Sequence, residues 1–331
     1  MELSAPLFGD LSLSITDRPP HEGGDAGDAG RYPAARLQRG LLLVCPGRDL
    51  AEEGVGFGVP VLKRGAQTVF AGAMELRRCA TPRGGTRRGG TQSGGTKSSA
   101  EPAPGGDSDG WQATASFQMN LVERLAARRG ASAGPGGETA SEAGPGGDRG
   151  GGSRSRLFYA VRDALAALHR RVPALRGVLT TVSNAVRRGF GLVTTFEETT
   201  TVATLRVTYD VRGAEGLVHV SVDLTGLPAD GLSEVVLMNE LGARSFDRYH
   251  DSGGARLRGA AIGTWTRVTD ARASLRCGEA GVSFSLGQAP GAHLYRGWEL
   301  VGSRLAWAGF GYVVQRGVEN FGYDVSIEPV S

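Results

Sequence analysis

The chain has 331 residues, a net charge of +3 and 53 glycines, more than twice the usual glycine share of about 7%. Because acidic and basic residues nearly balance, the composition argues against a protein that binds nucleic acid or membranes through its overall charge. No apolar stretch is long enough to span a membrane. The N-terminus lacks a basic, apolar leader, so we expect a soluble, cytoplasmic protein.

The N-terminal part of the chain shows the period-two alternation of β-strands. Leu11, Leu13 and Ile15 alternate with polar residues, which is typical of a half-buried strand. A further strand is predicted at residues 111–121, which alternate strictly. Four more short strands, divided by glycine-containing turns, are predicted at residues 41–44, 59–62, 69–71 and 73–76.

Two glycine-rich tracts, residues 81–110 and 130–152, interrupt this pattern. They contain few apolar side chains and therefore cannot bury enough surface to offset the chain entropy lost on folding. We predict a disordered loop between two strands at 81–110 and a disordered linker at 130–152.

The apolar spacing changes to three and four residues after the second tract. Leu157, Val161, Leu165 and Leu168 then share one face of a helix, and Pro173 ends that helix. The sequence therefore predicts a basic helix at 153–172, within a helical insertion at 153–190.

From Leu192 onward the alternation of strands returns. Short strands with glycine turns at near-regular spacing predict a mainly β fold, a large antiparallel β-sandwich or its larger form, the supersandwich. The N-terminal strands are too few to stand alone, so we predict one sandwich domain that spans residues 1–331. The strands of this half are predicted at residues 197–210, 217–224, 235–238, 274–277, 282–286, 304–308, 312–315 and 324–328.

The densest polar cluster lies at residues 238–254, with the sequence MNELGARSFDRYHDSGG. Arg248, Tyr249 and His250 are the candidate catalytic residues, since His titrates near neutral pH and His or Tyr can exchange a proton. A structural alternative stays open, because the Asp-Ser-Gly-Gly sequence at 251–254 favours a turn and exposed ion pairs contribute little. The candidate substrate-binding residues in this cluster are Asn239, Glu240 and Asp247.

Two carboxylates and two tryptophans complete the candidate substrate-binding residues. Glu52 and Glu53 stand at a bend, where a solvated turn is the alternative explanation. Trp265 and Trp298 are predicted to be exposed, and such rings can stack on sugars. Trp307 is predicted to fill the core.

The sequence lacks the motifs of metal and cofactor sites. Its five histidines and three cysteines show no metal-ligand spacing, so we predict no metal. Gly54, Gly56 and Gly58 precede a predicted strand instead of the helix that nucleotide binding requires, so we predict no cofactor.

Three segments, EEGVGFGVPVLKRG, MNELGARSFDRYHDS and RLAWAGFGY, resemble an uncharacterised family of prokaryotic proteins to which no activity is attached. The architecture, a long β region with a helical portion, is similar to the sandwich domains of polysaccharide lyases and mutarotase-like sugar enzymes. That second resemblance implies a carbohydrate-related function, although no lyase motif matches residue by residue.

The leading hypothesis is therefore a carbohydrate-binding or carbohydrate-processing protein, with a carbohydrate or an anionic small molecule as its ligand. The alternative is a non-catalytic structural or interaction protein that docks a protein partner through the basic helix 153–172. Whether the protein is an enzyme stays open at this point.

Overall fold

The computed structural model describes residues 1–18, 37–65, 67–79, 110–127, 192–228, 231–301 and 305–330. The two tracts predicted to be disordered lie outside these ranges, apart from Gly110, where a strand begins. The predicted helical insertion at 153–190, including the basic helix 153–172, also lies outside them.

The described residues are organised almost entirely as β-strands. The helical segments among them are two 3₁₀ turns, Gly213–Glu215 and Gly259–Ile262. The strands are β1 (Glu2–Pro6), β2 (Ser12–Thr16), β3 (Leu42–Val44), β4 (Gly56–Arg64), β5 (Gln67–Arg78), β6 (Gly110–Ala127), β7 (Leu192–Arg212), β8 (Leu217–Asp223), β9 (Glu234–Leu241), β10 (Arg248–Asp251), β11 (Arg256–Arg258), β12 (Thr266–Arg267), β13 (Arg272–Cys277), β14 (Val282–Gly287), β15 (Ala292–Val301), β16 (Leu305–Val314) and β17 (Asn320–Pro329).

Fourteen of these strands form one antiparallel sheet, in the order β11-β10-β13-β14-β17-β8-β7-β6-β5-β4-β9-β16-β15-β12. Its centre is the meander β4 to β8, in which each strand pairs with the next along the chain. Later strands extend both sides of this meander, because β9 pairs with β4 and β17 pairs with β8. The predicted mainly β, antiparallel fold is confirmed.

The long sheet folds over so that its two wings face each other across one core. Phe57 of β4 meets Phe284 of β14 edge to face, with ring centroids 5.3 Å apart. Tyr312 of β16 likewise packs on Tyr323 of β17 at 4.5 Å. These strands are far apart in the strand order, so the two layers of the sandwich come from a single sheet.

A separate three-stranded sheet, β1-β2-β3, packs against the same core. Leu13 and Ile15 of β2 are buried there, on the face that the alternation of the sequence predicts. This small sheet approaches β4 through the isolated bridge between Leu41 and Phe57.

In the part of the chain that is described, no helix is both long and apolar enough to cross a membrane. The three cysteines are free thiols, of which Cys277 is buried and Cys45 and Cys79 are half-buried.

Candidate functional site

The strand β10 places the three candidate catalytic residues on opposite faces of the sheet. Tyr249 faces the core and is fully buried, whereas Arg248 and His250 face outward. The Tyr249 hydroxyl donates a hydrogen bond to Oδ2 of Asp251 over 3.0 Å, and the guanidinium of Arg296 lies 4.2 Å from the centre of its ring. Burial raises the pKa of Tyr249 to about 12. The structure therefore does not bring Tyr249 and His250 into one cleft.

Asn239 is fully buried and takes part in a hydrogen-bond network at a bulge in β4. Its Oδ1 accepts hydrogen bonds from the backbone N–H of Gly58 over 3.1 Å and from the Tyr323 hydroxyl over 2.8 Å. The Tyr209 hydroxyl donates to the carbonyl of Phe57 over 3.1 Å. These contacts satisfy the polar groups of the bulge inside the core, which places Asn239 away from any surface.

Glu52 caps the turn that follows β9. Its Oε1 accepts hydrogen bonds from the backbone N–H groups of Arg244 and Ser245, both over 3.2 Å. Its Oε2 forms a salt bridge with Nη1 of Arg244 at 2.7 Å. The carboxylate is thus engaged in holding this turn, and Glu53, its neighbour, points elsewhere.

The two predicted tryptophans lie on different faces. Trp298 packs against the main core and donates a hydrogen bond from Nε1 to the carbonyl of Ala243 over 2.9 Å. Trp265 lies on the outer face of the sheet, where its ring is parallel to that of Tyr295 at 5.3 Å. The backbone of Trp265 adopts a φ of 69°, a strained conformation for a residue other than glycine.

A recess opens on the outer face of the wing formed by β4, β9 and β16, with a volume of about 190 Å³. We call it the acidic recess, because the carboxyl groups of three glutamates and the amide of Gln38 stand in a wall of mainly apolar side chains. It brings together Glu53 and Glu240, two residues that the sequence predicts to bind substrate. Its wall includes Glu53, Glu123, Glu240, Val59, Phe70, Phe196, Met238 and Trp307.

Glu240 is the most deeply buried of the three carboxyl groups in the recess. Only 8% of the residue is exposed, and burial, reinforced by repulsion from the charge of Glu299, raises its pKa to about 8. In the register of the sheet, Glu240 lies opposite Gly309 of β16, and Glu299 of β15 lies opposite Trp307 of the same strand. The two carboxylates therefore flank β16, and Glu240 holds its proton at neutral pH.

Glycines on this outer face make room for the groups around the recess. A Cβ atom at Gly309 would lie 2.9 Å from Cγ of Glu240. A Cβ at Gly297 would clash with the Trp307 ring, and one at Gly311 would clash with the Trp265 ring. The rings of Trp265, Tyr295 and Trp307 thus lie along the glycine-lined strands β15 and β16, and we call these three residues the aromatic strip.

The residues that sequence reasoning missed are Trp307 and Glu299. Trp307 is half-buried on the outer face, so the prediction that it fills the core is wrong. The segment RLAWAGFGY did contain a sign that Trp307 faces outward, because Trp307, Gly309 and Gly311 alternate with core residues. Glycines on an outward face indicate that another group packs closely over that face. The local sequence gives no such sign for Glu299, because its position near Glu240 depends on the pairing of β15 and β9 with β16.

A second depression lies on the opposite wing, over β10, β13 and β14, with a volume of about 380 Å³. We call it the arginine groove. His250 lines it, while Arg248 lies beside it and Asp247 is held by Nε of Arg258 at 2.6 Å. The residues that line the groove include His250, Asp251, Ser252, Arg256, Arg272, Ser274, Arg276, Ser283, Ser285 and Glu328.

Neither depression has the donor set of a metal centre. Among the side chains that the structure describes, no three or more His, Cys, Asp or Glu groups are placed to hold a metal ion.

Comparisons with known proteins do not identify a family or a function for this chain. No protein-family model and no curated protein matches the chain. Among solved structures, an α-N-acetylgalactosaminidase from Bifidobacterium bifidum in complex with GalNAc is similar at a TM-score of 0.40 and 8% sequence identity. The similarity covers 99% of this chain but only 36% of that one. This similarity is too low to assign a function to the chain.

Proposed function

We propose that the protein binds a carbohydrate on the outer face that carries the acidic recess and the aromatic strip. One observation carries the proposal: carboxylates and half-buried aromatic rings share a glycine-lined surface beside a recess of about 190 Å³. Sugars offer hydroxyl groups to carboxylates and C–H faces to aromatic rings, so this combination suits them. The strained backbone of Trp265 supports the proposal, because such strain concentrates at ligand sites.

The pairing of Glu240 with Glu299 favours processing of the bound sugar. Glycoside hydrolysis uses one protonated carboxylic acid and one carboxylate on either side of the scissile bond. Glu240, which keeps its proton at neutral pH, takes the role of the acid that protonates the leaving oxygen. Glu299, on the far side of β16, takes the role of the base that activates water. In this proposal Glu240 acts chemically, beyond the substrate-binding role that the sequence predicts for it.

The binding test measures affinity for a panel of neutral oligosaccharides by glycan array and then by titration calorimetry. Trp307→Ala is expected to weaken binding about 10-fold or more, since a stacked ring contributes about 1–3 kcal/mol when buried by a ligand. Val313→Ala is the matched control, because it shortens a side chain on the same face of β16, six residues from Trp307. The proposal would be contradicted if no glycan binds the wild type, or if every glycan that does so binds Trp307→Ala equally well.

The processing test follows hydrolysis of any glycan that binds. Glu240→Gln keeps the shape of the side chain but cannot donate the acidic proton, so it is expected to lower kcat about 100-fold or more with little change in affinity. Glu75→Gln, an exposed residue of β5, serves as the control. If the wild type binds a glycan tightly but does not hydrolyse it, the result would support carbohydrate binding and contradict the catalytic roles of Glu240 and Glu299.

Docking of a protein partner through helix 153–172 stays a prediction, because that segment lies outside the described residues. No contact of the described residues favours it over carbohydrate binding.

A further inference from the structure

The arginine groove is built from basic side chains that the sheet register places next to one another. On the outer face, Arg258 of β11 lies opposite Arg248 of β10, which lies opposite Arg276 of β13. In the adjacent row, Arg256 lies opposite His250. Side chains directly opposite in antiparallel strands have Cβ atoms about 5 Å apart, and like charges at that distance are destabilising.

The carboxylates near the groove compensate only some of these charges. Asp247 pairs with Arg258 at 2.6 Å, and its other oxygen lies 3.7 Å from Nε of Arg248. Glu328 pairs with Nη2 of Arg272 at 2.8 Å. Within the described residues, Arg256 and Arg276 form no salt bridge, so the centre of the groove keeps a surplus of positive charge.

Arg276 shows in addition that a hydrogen-bond acceptor is missing. Its Nε is buried and has no hydrogen-bond partner within the described residues, although buried polar atoms are normally satisfied. The hydroxyl-bearing residues Ser274, Ser283 and Ser285 line the same groove. Nε–H donors of arginine and serine hydroxyls together are suited to the oxygens of a tetrahedral anion.

We propose that the arginine groove is a binding site for a phosphate or sulfate group, held between Arg256 and Arg276. The ligand is either the free ion or a small ester that carries this group, and both present the same oxygens. The bound anion neutralises the row of like charges. This site lies on the opposite wing from the acidic recess, so a test of anion binding is independent of the test of carbohydrate binding.

His250 gives the site a dependence on pH. Burial and the nearby charges of Arg276, Arg256 and Arg248 lower its pKa, so the free protein holds the imidazole neutral at pH 7. A bound dianion offsets those charges and favours the imidazolium. Binding therefore takes up a proton and strengthens as the pH falls from 7.5 to 5.5. The charged groups that face His250 are Arg256 of β11, Arg248 and Asp251 of β10, Arg272 and Arg276 of β13 and Glu328 of β17.

The test titrates the full-length protein at low ionic strength with sodium sulfate, sodium phosphate and glucose 6-phosphate, using calorimetry. Sulfate is used for the pH series, because its charge stays constant from pH 5.5 to 7.5. Arg276→Gln is expected to weaken binding of each ligand about 10-fold or more, as is Arg256→Gln. Arg316→Gln, an exposed arginine in the turn after β16, is expected to bind like the wild type.

Arg276→Lys keeps the charge but not the planar donor set, and it is expected to recover only part of the affinity. Tighter binding of glucose 6-phosphate than of phosphate would identify an ester as the ligand, and equal binding would identify the free ion. The proposal is overturned if no small anion binds at millimolar concentration, if Arg276→Gln binds like the wild type, or if only a polyanion such as heparin binds. The last result would indicate diffuse charge attraction without a built site.

Discussion

The hydroxyl group of Tyr323 donates a hydrogen bond to Oδ1 of Asn239 over 2.8 Å, and this contact joins the two wings of the folded sheet. The same oxygen accepts the backbone N–H of Gly58 at 3.1 Å. One amide group therefore connects β17, β9 and the bulge of β4 inside the core.

Replacing Asn239 with Leu is expected to lower the free energy of unfolding by about 1–3 kcal/mol or more, because it leaves two buried donors without an acceptor. Urea denaturation measures the change. Asn320→Leu, at an exposed position of β17, is the control and is expected to change stability by less than about 0.5 kcal/mol. Equal effects of the two substitutions would contradict the structural role of Asn239.

Gly58→Ala is expected to be strongly destabilising for two separable reasons. Gly58 has a φ of 74°, and an added Cβ would lie 2.9 Å from the Tyr209 ring and hydroxyl. The backbone conformation alone costs about 1–2 kcal/mol for a residue with a Cβ. Gly9→Ala isolates that backbone contribution, since Gly9 has a φ of 59° and open space around its Cβ position. Thermal unfolding should show a clearly larger loss for Gly58→Ala, and equal losses would mean that Tyr209 is not in contact.

Because burial raises the pKa of Glu240, we expect the free energy of unfolding of the protein to decrease as the pH rises. Its pKa is about 8 in the folded protein against an ordinary value of 4.5, so between these pH values only the unfolded chain releases the proton. The contribution of this group to stability therefore decreases by up to about 1.4 kcal/mol per pH unit over that range. Glu240→Gln lacks this loss, so its stability relative to the wild type should rise steadily from pH 5 to pH 8 in denaturant titrations. A constant difference would show that Glu240 is ionised in the folded protein.

Tyr249→Phe and His250→Ala separate the two faces of β10. Tyr249→Phe removes the hydroxyl that donates to Asp251, a carboxylate with 3% of its side chain exposed, and is expected to cost about 1–3 kcal/mol of stability. His250→Ala removes an outward side chain and is expected to leave the melting temperature nearly unchanged. The opposite ranking would place His250 in the core and Tyr249 at the surface.

The sequence was sufficient to predict individual strands but not the way in which they assemble. The alternation from Trp111 to Leu121 lies within β6, and that from Leu11 to Ile15 overlaps β2, because burial of one face imposes period two on the local sequence. The order of strands depends on pairs that are distant in the chain, such as Phe57 with Asn239, and no local pattern encodes them.

The same reason limits what the sequence says about the candidate site. Residues 238–254 form one polar cluster along the chain, but the pleat directs Tyr249 inward and His250 outward. The acidic recess combines Glu53, Glu240 and Trp307 from three separate regions. The sequence predicts that Glu53 and Glu240 bind substrate, but it places them in different clusters, and only the folded sheet brings them together.

The pairing of β4 with β9 has a consequence for synthesis of the protein in the cell. Gly58 and the side chain of Asn239 that binds it are 181 positions apart, so at about 5–20 residues per second β4 waits roughly 10–40 s for its partner. During that time its apolar edge is open to pairing with other nascent chains. Pro60 stands in the middle of this strand and lacks the N–H group that such pairing uses. We therefore expect Pro60 to hinder pairing of β4 with other chains until β9 has been synthesised.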